Sequence, residues 1–294
     1  MGEGAGGHGS MVVVTAPSSA FADEDRPNDG HRSLRERVIG AELARSVLSV
    51  WSWFTFGVGV VLWLPLMTIV RIVTAPWDKG RYWTGFLFRK LPVVHQHINP
   101  LWTFRVSGEM PKDPRRPYIV VSNHESFVDI LLISHLPFEM KWLSKVEMFK
   151  IPVVGWLMSL AGDIRLTRGE ISSAADAMNQ CKDRLEKKVS VMIFPEGTRS
   201  KSGELGKFKN GAFRLAIETG CPILPVAVSG CHSALRPKDW RLGYSTAEVR
   251  VLAPIEVEGL TTKDLYALRD QARDTIAAEI EVLRAELAAA RRHR

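Results

Sequence analysis

The chain has 294 residues, enough for one large hydrophobic core or two smaller ones, and its pieces favour one main domain. Its 39 Lys and Arg against 32 Asp and Glu give a formal net charge of +7, which suits an anionic partner: nucleic acid, an anionic membrane surface or a phosphate-bearing substrate. Cys181, Cys221 and Cys231 are an odd number with no CxxC pair and no histidine at metal-ligand spacing, which argues against a disulfide framework or a zinc site and for a reducing compartment.

Residues 1 to about 32 are rich in Gly, Ser, Asp and Pro without periodicity and are expected to form a disordered tail. The apolar run Met11 to Val14 is too short for a signal peptide, and acidic residues follow it. From Val47 to Val70 no side chain is charged, and the run carries Trp51, Trp53, Phe54, Phe56, Trp63 and several leucines. Crossing a bilayer takes about 20 such residues. Pro65, Gly57 and Gly59 interrupt the run, and basic residues on both flanks, Arg45 before and Arg71 and Lys79 after, leave its orientation open. The following stretch, Tyr82 to Val94, is aromatic but broken by Arg89 and Lys90, and reads as interfacial. Residues 33–100 are therefore expected to form a membrane-associated helical hairpin that either crosses once or lies within one leaflet, with a buried core helix as the alternative. The apolar segment also makes nucleic-acid binding a poor account of the positive charge.

From residue 103 the pattern changes to short β-prone runs separated by helical stretches. Strands are expected at Thr103–Val106, Tyr118–Ser122, Met140–Ser144, Asp163–Leu166, Val189–Phe194, Ile223–Val228 and Ala247–Leu252. Helices are expected at Ser126–His135, Ile171–Lys187 and Gly211–Thr219, the last closed by Gly220 with Pro222 beyond. This alternation implies an α/β catalytic domain over 101–260, built on a mixed, largely parallel sheet of roughly seven strands flanked by helices. In 261–294, Leu265, Leu268, Ile276, Ile280, Leu283 and Leu287 recur at helical spacing, as in an amphipathic surface or docking helix.

Three polar clusters end apolar runs, where ligands of such sheets collect. In Val121-Ser122-Asn123-His124-Glu125-Ser126-Phe127-Val128-Asp129, a strand breaks into residues that cap helices. Five residues separate His124 from Asp129, which puts them about 140° apart on a regular helix and on opposite faces of a strand. They converge only across an irregular strand-to-helix turn; there, Asp129 can accept the proton of one imidazole nitrogen and leave the other as a base. Unrelated surface residues are the alternative, and Glu125 is expected to be exposed. In Gly162-Asp163-Ile164-Arg165-Leu166-Thr167-Arg168, Arg168 falls just past a strand end. In Phe194-Pro195-Glu196-Gly197-Thr198-Arg199-Ser200, followed by Lys207-Phe208-Lys209, a Gly-containing turn can bring backbone N–H groups toward an anion while Arg199, Lys207 and Lys209 supply charge.

The ordered set Asn-His-x-x-x-x-Asp (Asn123 to Asp129), Gly-x-Ile-x-Leu-x-Arg (Gly162 to Arg168), Phe-Pro-Glu-Gly-Thr-Arg-Ser (Phe194 to Ser200) and an apolar strand containing Pro225 resembles the 1-acylglycerol-3-phosphate acyltransferases, over roughly residues 100–230. The resemblance implies transfer of a fatty acyl group from an acyl-CoA or acyl carrier protein thioester to a hydroxyl of a lysophospholipid, lysophosphatidic acid first among the acceptors. Another lysophospholipid, a lyso-aminolipid or a glycolipid is the alternative acceptor, and a non-catalytic membrane-anchored lipid-binding module is the reading outside enzymology. It implies His124 as general base and Asp129 as the group that orients it, without a covalent intermediate. Arg168, Glu196, Gly197, Thr198 and Arg199, helped by Lys207 and Lys209, would bind the acceptor. No metal and no cofactor beyond the acyl co-substrate is implied, and the catalytic domain would face the cytoplasm at a membrane surface. Ser126 is expected to cap the helix, and Arg165 either adds a phosphate contact or is a surface side chain.

Overall fold

The computed structural model describes residues 12–14, 34–200, 202–236 and 239–292. Its strands are β1 (Val12–Val14), β2 (Trp102–Gly108), β3 (Ile119–Ser122), β4 (Met140–Lys145), β5 (Ile164–Leu166), β6 (Ser190–Ile193), β7 (Ile223–Ser229) and β8 (Ser245–Val251). Its α-helices are α1 (Leu34–Thr74), α2 (Tyr82–Ile98), α3 (Val128–Ile133), α4 (Val154–Ala161), α5 (Ile171–Glu186), α6 (Gly211–Thr219) and α7 (Leu265–Arg292).

The strands form one sheet of order β1-β2-β8-β7-β3-β6-β4-β5. Pairing is parallel throughout except at β1 with β2 and β7 with β8. The seven expected strands are all present. The eighth, β1, lies inside the segment expected to be a disordered tail; the rest of that segment is outside the described residues. Strands β3, β6 and β7 are buried at every position, which is why they read as continuous Val/Ile runs rather than as alternation. Val120, Met192 and Val226 face a core shared with α3, while Ile119, Val121 and Val191 face one shared with α5, α6 and α7.

Helix α1 divides its circumference between two environments. Ser49, Ser52, Val60 and Met67 are buried against the protein, while Leu43, Val47, Phe54, Val61, Leu62 and Ile72 stand exposed along the other side. By length and composition its segment Gly40–Thr74, of mean hydropathy 2.1, is the one helix among the described residues able to cross a membrane. Its apolar residues Val60 and Met67 pack with Leu91 of α2 and with Leu157 and Ala161 of α4, a helix the sequence reading left unassigned.

Two of the expected helical stretches pack on the domain. The Tyr82 to Val94 stretch is most of α2, whose Tyr82, Thr84, Arg89, Leu91 and Gln96 are buried in the domain while Trp83 and Val94 stay exposed. Arg89, expected to break the helix's apolar character at a headgroup level, pairs with Asp163 and approaches Glu139 at 3.7 Å, and Glu139 in turn takes Lys141 at 2.8 Å. A charge so far from water is tolerable only with such partners. Helix α7 covers the expected amphipathic run. Its Leu265, Leu268, Ile276, Ile280 and Leu283 belong to the core on one sheet face.

Candidate active site

Parallel pairing of β3 with β6, with Val121 opposite Ile193, brings the carboxyl ends of these two strands side by side. β4 and β5 run the same way, so Lys145 and Leu166 end their strands on the same edge. Beyond β3 the chain passes through five residues without regular structure before α3 begins at Val128. That irregular turn is what the five-residue spacing requires.

Across it, His124 Nδ1 lies 2.8 Å from Asp129 Oδ2. The same oxygen accepts the backbone N–H groups of Glu125 at 2.7 Å and Ser126 at 2.8 Å. Asp129 is fully buried in the first turn of α3, where the helix dipole favours a carboxylate. Because the carboxylate can only accept, the imidazole proton sits on Nδ1, and Nε2 is left with its lone pair. The ring is stacked on Phe194 at 3.9 Å and 10°, which fixes its plane.

The backbone of this turn is held from both sides. His124 N–H donates to Glu196 Oε1 at 2.8 Å, and its carbonyl accepts from Ser200 N–H at 2.8 Å. The other Glu196 oxygen accepts from Gly206 N–H at 2.9 Å. Burial pushes the Glu196 carboxyl up from its ordinary range, against the two amides that favour its charged form. Asn123 completes the frame with a pair of 2.8 Å bonds to the N–H and carbonyl of Val228 in β7.

The site opens on a cavity of about 700 Å³. One part of its wall is cationic, with Lys145, Arg168, Arg199 and Lys209; another is apolar, with Phe56 and Val60 of α1, Leu91 of α2, Ile130 and Leu131 of α3, and Met158 of α4. Lys145 pairs with Glu147 at 3.1 Å, whereas no carboxylate among the described residues pairs with Arg168, Arg199 or Lys209. Gly197 also lines the cavity; it has φ of +74°, and a Cβ there would meet Lys209 Nζ at 2.7 Å. In the turn Gly197 N–H donates to Phe194 O and Ser200 N–H to His124 O, and beyond it Lys209 N–H donates to Pro195 O.

The structure thus brings His124, Arg168, Gly197, Arg199 and Lys209 to one cavity, with Asp129 buried behind His124. Glu196 adjoins it, with both carboxylate oxygens bonded to backbone. Thr198 and Lys207 are exposed on the same loop and are not part of the cavity wall. Glu125, expected to be exposed, is buried; burial first and the neighbouring Asp129 second push its carboxyl up to about 8. Ser126 Oγ accepts from Val128 N–H at 3.3 Å inside the turn. Arg165 donates to Ser159 and lies over Phe149, so of its two readings the surface one holds.

A family model described as Acyltransferase matches residues 103–229. Human 1-acyl-sn-glycerol-3-phosphate acyltransferase alpha is 36% identical over 218 residues, which is 73% of this chain and 76% of that protein. The chain belongs to the 1-acyl-sn-glycerol-3-phosphate acyltransferase family. A chloroplastic member from Brassica napus is 39% identical over 167 residues, 57% of this chain and 47% of that protein, so the chain spans about half the length of that relative. The crystal structure of the 1-acyl-sn-glycerophosphate acyltransferase PlsC from Thermotoga maritima aligns over 83% of this chain and 98% of its own, with a TM-score of 0.71 and 25% identity. In this family member the sequence reading overlooked Lys145 and the framing roles of Asn123 and Phe194. A signal for Lys145 was present, since it directly follows an expected strand that ends among the others.

Proposed function

We propose that the protein moves a fatty acyl group from an acyl-CoA or acyl carrier protein thioester to the free hydroxyl of 1-acyl-sn-glycerol-3-phosphate, giving phosphatidic acid. The observation that carries this reading is the His124–Asp129 couple at a cavity whose wall is cationic in one part and apolar in another. An acceptor that pairs a phosphate with an alkyl chain matches both parts. Arg168, Arg199, Lys145 and Lys209 take the phosphate, the arginines through their planar two-pronged geometry.

His124 Nε2 removes the proton of the acceptor hydroxyl as its oxygen attacks the thioester carbonyl. Asp129 holds the ring and stabilises the imidazolium that forms. Collapse of the tetrahedral intermediate breaks the C–S bond, and the imidazolium returns the proton to the departing thiolate. A thioester is already activated, so neither an acyl-enzyme nor a resident cofactor is required. In this reading the enzyme works on a membrane, where its lysolipid acceptor resides, with its catalytic domain on the cytoplasmic side; the exposed apolar side of α1 supports the membrane association.

The test is a panel of lysolipids offered to purified protein with labelled acyl-CoA and acyl carrier protein donors. Lysophosphatidic acid should be acylated at least about tenfold faster than phosphodiester lysolipids, because only its phosphate carries the second charge. Faster turnover of a phosphodiester acceptor would overturn the assignment.

A further inference from the structure

Helix α7 turns its apolar side to the core and lays arginines across the loop that follows the Phe194–Ser200 block. Arg273 donates through Nε to Gly206 O at 3.2 Å and through Nη2 to Leu205 O at 3.3 Å. Arg284 Nη2 donates to Gly203 O at 2.5 Å, and Arg269 Nη1 to Asn210 Oδ1 at 3.0 Å. Two arginines of one helix thus hold the Gly203–Gly206 stretch between Arg199 and Lys209, and a third holds Asn210 just past Lys209.

The peptide group between Leu205 and Gly206 is the one that matters. Its carbonyl accepts from Arg273, and its N–H donates to Glu196 Oε2 at 2.9 Å. The other oxygen of Glu196 accepts from His124 N–H at 2.8 Å. The links form one line: guanidinium, peptide, carboxylate, catalytic turn. A cation on the carbonyl polarises the peptide and strengthens the N–H bond at its other end. The approach is close, since a Cβ on Gly206 would come within 2.7 Å of Glu196 Oε2. Arg273 spends its charge on two neutral carbonyls, its one ion pair among the described residues being with the exposed neighbour Asp274 at 3.4 Å.

We infer that Arg273 is a positioning residue for acyl transfer: through the Leu205–Gly206 peptide and Glu196 it sets the His124 turn and holds Arg199 and Lys209 at the cavity. Helix α7 is then part of the active machinery, although it lies beyond the matched family segment, which ends at residue 229. The inference rests on the proposed acyl transfer for its kinetic readout, and on backbone exchange for a readout that needs no substrate.

The experiment compares wild type, Arg273→Ala and Arg273→Lys as full chains, with Arg116→Ala as a control on a surface ion pair with Glu256. Residue-resolved amide exchange should show roughly tenfold faster exchange at Gly206 and His124 in Arg273→Ala, with the amides of β3 and β7 unchanged. In the same variant kcat should fall roughly tenfold with the donor KM within about twofold, because geometry is lost and donor binding is not. Added guanidinium ion should restore part of the rate, and Arg273→Lys should lie between. Unchanged exchange at Gly206 and His124, or faster exchange with an unchanged kcat, would overturn the inference, as would a uniform acceleration across the core. If wild type acylates no lysophosphatidic acid, the functional reading fails, and the exchange comparison still decides whether Arg273 braces the turn.

Discussion

Replacing Glu196 by Gln distinguishes two roles for a residue that the family resemblance assigns to acceptor binding. In the structure its two carboxylate oxygens accept from His124 N–H at 2.8 Å and from Gly206 N–H at 2.9 Å. A glutamine keeps one accepting oxygen, and its amide group would face the second backbone N–H donor to donor. One N–H then lacks a partner, at about 1–3 kcal/mol, and the surviving bond loses its charge assistance, about another 1 kcal/mol. A total of about 2–4 kcal/mol falling on the catalytic turn corresponds to roughly 30- to 1000-fold in rate. Steady-state acyl transfer, with kcat and both KM values measured separately, is the assay. The expected outcome for Glu196→Gln is a large loss in kcat with the acceptor KM within about threefold. An unchanged kcat with an acceptor KM raised about tenfold or more would refute the reasoning and return Glu196 to direct contact with substrate.

Arg199→Ala removes an exposed cavity cation that no described carboxylate neutralises, and should raise the acceptor KM by roughly tenfold while sparing the donor KM; steady-state kinetics check this, and an effect confined to the donor contradicts it. Asp129→Asn should cut kcat by roughly 10²–10⁴ with the fold intact by circular dichroism, since the amide no longer stabilises an imidazolium at Nδ1; near-normal turnover would remove Asp129 from the mechanism. Glu125 has its carboxyl raised to about 8 in the fold from an ordinary 4.5, so the folded state keeps a proton that the unfolded chain releases. Stability from this residue is complete below about 4.5 and is lost as pH rises through about 8. Glu125→Gln should therefore match wild type near the acidic end and exceed it above the upper value by on the order of a few kcal/mol in denaturant titrations; parallel curves would contradict the burial account.

Much of the fold follows from local chemistry. Runs such as Val189–Ile193 and Ile223–Val228 have no polar face, so they belong in the middle of a sheet covered on both sides, and there they lie. The spacing of His124 and Asp129 required an irregular turn, and the structure has one between β3 and α3. The pieces that were not legible depend on what a side chain meets at long range. Arg89 looks like a polar interruption until Asp163, 74 residues away, comes to face it. Glu125 looks like a solvated neighbour of His124 until Arg284 of α7 and the backbone of Gly230, just past β7, come close to its buried carboxyl. Helix α4, Val-Gly-Trp-Leu-Met-Ser-Leu-Ala, lacks the polar stripe that marks a helix because α1 and α2 cover it. Glu196 sits in a motif that announces ligand binding, yet its partners are two backbone amides that no sequence pattern displays.

The central claim, that His124 Nε2 is the base that frees the acceptor hydroxyl, is tested most directly by acyl transfer to lysophosphatidic acid in wild type and His124→Ala, with folding and membrane association monitored in parallel. The account predicts a folded, membrane-bound His124→Ala protein whose turnover is at least roughly 10³-fold below wild type. Turnover within about tenfold of wild type would contradict it.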